Sequence, residues 1–100
     1  MEKQTPLTPM VKCFKDLKFR IQKSNVNCIE AKHTFENGIT ILIEGGKLGG
    51  VFGNGYDNFE VSVYNETKLF KLDNEAHFLN WASEKQINEV IQKILENKFN

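Results

Sequence analysis

The chain has little of what most site chemistry requires. Two cysteines, Cys13 and Cys28, and two histidines, His33 and His77, are its whole supply of soft metal ligands, and no CxxC spacing joins them. A structural zinc site would be short of ligands, so no metal is expected. With no histidine beside it in sequence, Cys13 is expected as a small buried apolar residue, not a nucleophile. Arg20 is the sole arginine and the sequence pI is near 6.7, a poor basis for neutralising many phosphates. No apolar run approaches the roughly 20 residues that cross a bilayer. The opening Met1-Glu2-Lys3-Gln4-Thr5-Pro6 lacks the apolar core of a secretory signal. The expectation is a cytoplasmic protein with reduced thiols, in which the sequon Asn65-Glu66-Thr67 stays unused.

Nucleotide-binding devices are missing too. Gly53-Asn54-Gly55 begins like GxGxxG, but Asn58 stands where the third glycine belongs and a strand follows where a helix is required. No Gly-Lys-Ser/Thr occurs. Among the carboxylates Glu44, Asp57, Glu60 and Glu66 no spacing singles out an acid and base pair. No catalytic residue, cofactor or enzymatic activity is therefore assigned.

What is present suffices for one small domain: 100 residues, 40% of them hydrophobic, with 11 aromatics. Charge is balanced at 13 and 13 but unevenly placed. Residues 1 to 35 carry seven Lys+Arg against three acids, and residues 36 to 80 carry three against seven. A basic N-terminal segment and an acidic middle follow, a polarity suited to a charged partner.

Thr8-Pro9 reads as an N-cap and first helical position, and Met10, Phe14, Leu17 and Ile21 recur at spacings of four, three and four. This predicts an N-terminal helix after a disordered tail over 1–7, although Leu17, Phe19 and Ile21 also alternate, which allows an extended last turn. Ile29, Ala31, His33 and Phe35 alternate, then Glu36-Asn37-Gly38, then Ile39, Ile41 and Ile43. Apolar matching selects a three-residue loop with Gly38 left-handed, pairing Phe35 with Ile39, His33 with Ile41 and Ala31 with Ile43. His33 then lies on the apolar face as a partly buried imidazole.

A glycine-rich loop is expected over 45–58. Phe59, Val61 and Val63 point inward, with Glu60, Ser62 and Tyr64 outward, and Leu69 to Leu72 forms a fourth strand. Ala76 to Trp81 reads as an irregular or one-turn helical piece with Trp81 capping the core. Ser83 and Gln86 form a capping box for a helix over about 84–97, whose apolar residues Ile87, Val90, Ile91, Ile94 and Leu95 share one face. The predicted architecture is a single α+β domain: an antiparallel four-stranded meander with an N-terminal and a C-terminal helix packed on one face.

Exposed aromatics, segregated charge and a glycine loop favour a protein-binding module. Its expected contacts are Phe52, Tyr56 and Tyr64, with Asp57, Glu60 and Glu66 as an acidic rim. The alternative is a nucleic-acid accessory protein using Lys12, Lys15, Lys18, Arg20 and Lys23 on the first helix. An unpaired sheet edge leaves monomer and homodimer both open.

From Phe35 to Ile94 the chain resembles small proteins encoded in bacteriophages and prophages. The resemblance rests on Asn37-Gly38, the glycines running to Tyr56, the strand Phe59-Glu60-Val61-Ser62-Val63, and the helix Ser83-Glu84-Lys85-Gln86-Ile87-Asn88-Glu89-Val90-Ile91. The lysine-bearing first segment and the piece around Trp81 depart from it. It implies an accessory protein of a mobile element that binds and blocks a host protein, a defence nuclease among the candidates.

Overall fold

The computed structural model describes residues 10–46 and 51–99. The anticipated tail over 1–7 and the Thr8-Pro9 cap lie outside them. Five strands form one antiparallel sheet in the order of the chain: β1 (Arg20–Ile21), β2 (Cys28–Thr34), β3 (Thr40–Gly46), β4 (Phe59–Tyr64) and β5 (Phe78–Ala82). Among the described residues a single α-helix, α1 (Glu84–Leu95), covers the apolar face. The fold is α+β as expected, with one strand more and one helix fewer.

The central hairpin follows the predicted register. Thr34 pairs with Thr40, His33 with Ile41 and Ala31 with Ile43. The Phe35 N–H donates to the Ile39 carbonyl at 2.8 Å, and Gly38 takes φ 85°, the left-handed value that the loop demands. Ile41, Ile43, Val61 and Val63 are fully buried under Ile87, Ile91 and Ile94 of α1. Ser83 accepts from the Gln86 N–H and Gln86 returns the bond to the Ser83 N–H, so the capping box forms in both directions.

The helix ends in a Schellman arrangement. Asn97, at φ 56°, donates its N–H to Ile94, and the Lys98 N–H reaches the Lys93 carbonyl. The hairpin turn closes over this end, with Asn37 Nδ2 donating to the Ile94 carbonyl at 3.1 Å.

Among the described residues the predicted N-terminal helix is absent: Phe14–Asp16 makes one 3-10 turn and the chain then runs extended into β1. Two polar contacts decide this. The Asp16 carboxylate takes the Lys12 N–H at 2.9 Å, and Asn88 of α1 takes the Phe14 N–H at 2.7 Å, so side chains satisfy these donors without a helix. Val11 is buried and Phe14, Leu17 and Phe19 pack on the core, while Met10 and Ile21, the ends of the supposed stripe, are exposed. Cys13 is half-buried and Cys28 is the buried thiol.

Two further expectations need correction. Leu69 to Leu72 is not a strand: Leu69 makes an isolated bridge to Tyr64, and Asp73 bridges Ala76. The strand that completes the sheet is β5, where an irregular piece was expected. Its pairing with β4 slips between Leu79–Val61 and Ala82–Phe59, so Asn80 and Trp81 together face Glu60.

His33 sits edge-on to Phe35 with ring centroids 4.7 Å apart. Burial pushes its pKa below the ordinary 6.5, so the folded state favours the neutral ring. Stability from this group is complete above pH 6.5 and is lost as pH falls through the lowered value. A His33→Phe variant should therefore show a flatter acid limb of Tm against pH below 6.5 than the wild type.

Candidate functional site

The face of the sheet away from α1 has an unusual row of charges. Register places Arg20 beside Glu30, Glu30 beside Glu44 and Glu44 beside Glu60, one residue from each of four successive strands. Like charges directly across a ladder repel, so three adjacent glutamates cost stability that an ordinary sheet would avoid. Arg20 pairs with Glu30 at 2.9 Å. Gln22 Nε2 donates to Glu30 at 3.2 Å and to Glu44 at 2.6 Å. Glu44 is held above the usual carboxylate range by burial first, with the charges of Glu60 and Glu30 adding and the Gln22 hydrogen bond opposing.

A raised carboxyl pKa means that the folded state holds the proton more tightly than the unfolded chain, so stability falls as pH rises from about the ordinary 4.5 through the raised value. Glu44→Gln does not titrate. Its urea midpoint, measured relative to wild type, should be higher at pH 7 than at pH 4.

Aromatic residues flank this row. Glu60 accepts the Phe52 N–H at 2.9 Å, and the Phe52 carbonyl accepts the Trp81 N–H at 2.8 Å, so the loop segment 51–58 is stitched to both β4 and β5. The Phe52 and Trp81 rings meet edge to face with centroids 6.2 Å apart, yet remain 56% and 57% exposed. Trp81 is held at φ 58°, a left-handed conformation that costs a bulky residue about 1–2 kcal/mol. Phe78, paired with Ser62 on the same face, is also exposed. Trp81 therefore does not cap the core as the sequence suggested. It stands in solvent beside the glutamates.

The glycine-rich segment is structured where it is described. Gly45 and Gly46 belong to β3, and the Gly46 N–H donates to the Gly53 carbonyl at 2.9 Å. Gly53 lies so close to β4 that an added β-carbon would stand 2.6 Å from the Phe59 carbonyl carbon. Asn54 Oδ1 accepts the N–H groups of Tyr56, Asp57 and Asn58, and Asp57 in turn accepts from the side chains of Asn54 and Asn58. This network fixes the tip on which Tyr56 projects, 85% exposed.

The sequence-derived contacts are thus partly united. Phe52 and Glu60 touch, and Tyr64 lies on the same face as Glu60 by strand parity. Tyr56 and Asp57 occupy the adjoining loop tip, whereas Glu66 sits in the separate turn organised by Asn65. Ser62 points outward as expected but is buried among its neighbours. Trp81, Phe78, Glu30 and Glu44 were missed. The Glu30–Glu44 pair was implicit in the hairpin register, and the aromatic content of Phe78–Ala82 between two turn signals was a strand signal.

The alternative basic surface fares differently. Lys12, Lys15, Lys18, Arg20 and Lys23 are all exposed, but no helix aligns them, and Arg20 is committed to Glu30. Among the described residues no group of His, Cys, Asp and Glu side chains is arranged to hold a metal, and no helix is long and apolar enough to cross a membrane. Comparison with protein-family models, curated proteins and solved structures returns no match.

Proposed function

We propose that the chain is a non-enzymatic docking module whose outer sheet face binds a host protein and obstructs it. The observation that carries this reading is the conjunction of a strained, exposed Trp81 and exposed Phe52 with the row Glu30, Glu44 and Glu60. Exposed aromatics provide the desolvated anchor that dominates binding energy, and a row of three carboxylates, with Arg20 as its one ion-pair partner among the described residues, selects a protein presenting lysine or arginine. A nucleic-acid enzyme has such a basic surface where its own substrate lies. Occlusion of that surface by a charge-mimicking face is the mechanism we favour, in keeping with the resemblance to phage-encoded proteins and a nuclease among their targets.

The sheet edges fit this reading better than self-association by strand addition. β1 has two residues and β5 is interrupted by its bulge, so neither offers a long regular edge. The test is affinity capture from bacterial lysate, with and without nuclease treatment, comparing wild type with Phe52→Ala/Trp81→Ala. One stoichiometric protein, retained after nuclease and lost with the variant, supports the proposal. Recovery of nucleic acid alone, with every protein band removed by nuclease, overturns it.

A further inference from the structure

A second surface, sharing no residue with the aromatic and acidic face, lies where the turns after β4 meet the end of α1. It is an open cleft of about 520 Å³ walled by Lys68, Lys71, Lys93, Lys98 and His77, with Phe70 and Phe99 also lining it. Local structure brings these residues together. The Asn65 side chain accepts the N–H groups of Thr67 and Lys68, and the Phe70 N–H then returns to the Val63 carbonyl at 2.8 Å, which seats Phe70 in the core. From the other side the Schellman turn at Asn97 sends Phe99 back until the two rings lie 5.5 Å apart.

Each ring carries an ammonium group. Lys68 Nζ is 5.0 Å from the Phe70 centroid and Lys93 Nζ is 4.6 Å from that of Phe99. Both lysines line the same cleft, and among the described residues neither forms an ion pair. Lys71 and Lys98 are partnered by Glu75 and Glu96. His77 Nδ1 is shielded from solvent and has no hydrogen-bond partner among the described residues, a vacancy that buried polar atoms seldom tolerate.

We propose that this cleft binds a small molecule carrying two or more phosphate groups. Its volume of about 520 Å³ falls in the range of small-ligand sites. Four lysines in one cleft wall, two of them outside any ion pair among the described residues, suit tetrahedral, multiply charged oxyanions. Because lysines already cover the aromatic rings, recognition falls on the phosphates and not on a stacked base. The His77 ring lines the same cleft, so its resonances report occupancy.

The test titrates inorganic triphosphate into the full chain at low salt, following heat and the His77 ring resonances together. A saturable one-to-one isotherm is expected, with His77 shifts tracking the same curve. Lys68→Met/Lys93→Met keeps the apolar stems over the rings and removes both charges. It should weaken binding at least tenfold without lowering Tm, while Lys12→Met/Lys15→Met leaves binding unchanged. Absence of saturation, or an equal loss in both double variants, shows only diffuse charge attraction and refutes the site. A single-stranded oligonucleotide that displaces triphosphate from the cleft would also overturn it, in favour of a nucleic-acid strand.

Discussion

Gly53→Ala is expected to be among the most damaging single substitutions outside the core. The new methyl would meet the backbone of Phe59 and Glu60, and backbone of a central strand cannot swing aside as the end of a side chain can. Overpacking of this kind costs about 1–3 kcal/mol, and each kcal/mol lowers Tm by roughly 4–8 °C in a domain of this size. The damage should also be local. If segment 51–58 lifts away, Glu60 loses the Phe52 N–H and Trp81 loses the Phe52 carbonyl. Trp81 is the sole tryptophan, so its emission reports the detachment directly. An unchanged melting temperature and emission spectrum would show that the segment does not rest on β4 in solution.

The second large effect concerns binding. Phe52→Ala/Trp81→Ala removes two half-exposed rings and their edge-to-face contact, so stability should fall by about 1–2 kcal/mol with the fold kept, while affinity for the captured partner falls by about 2 kcal/mol or more, roughly thirtyfold. Surface plasmon resonance with matched thermal melts separates the two quantities. Glu44 adds a pH signature of defined sign. A basic partner lowers the raised Glu44 pKa on docking, so affinity should strengthen as pH rises through that group's titration, and Glu44→Gln should erase the dependence. Lys12→Glu/Lys15→Glu/Lys18→Glu should leave affinity intact. Loss of binding in that triple variant together with full binding by Phe52→Ala/Trp81→Ala would move the interface to the N-terminal segment.

Where the decisive interactions are local, the sequence was a sufficient guide. The β2–β3 register follows from matching Ile41 and Ile43 to His33 and Ala31, and the Ser83–Gln86 cap joins residues only three positions apart. The first segment was ambiguous on its face, because Phe14 and Leu17 fit a helical stripe while Leu17, Phe19 and Ile21 fit a strand. Asn88, 74 residues away from Phe14, helped to settle the matter, and no local pattern encodes that contact. β5 was hidden for a related reason: its bulge and the Trp81 conformation depend on the Phe52 carbonyl, presented by a distant loop. The candidate face inherits this division, with Phe52, Glu60 and Tyr64 legible and Trp81 visible only once the loop is in place.

The chain-ordered sheet also bears on how the protein acquires its structure. Each strand pairs with the one before it, so after the β2–β3 hairpin closes, on a scale of about 1–10 μs, growth proceeds by short-range additions. Docking of α1 is different in kind. The contacts Asn37–Ile94 and Phe14–Asn88 join positions 57 and 74 residues apart in the sequence. α1 is the last element of the chain, so a chain with the sheet formed and the helix undocked leaves Ile41, Ile43, Val61 and Val63 bare. Aggregation during expression or refolding would begin on that uncovered isoleucine and valine face and not on the exposed aromatics of the finished molecule.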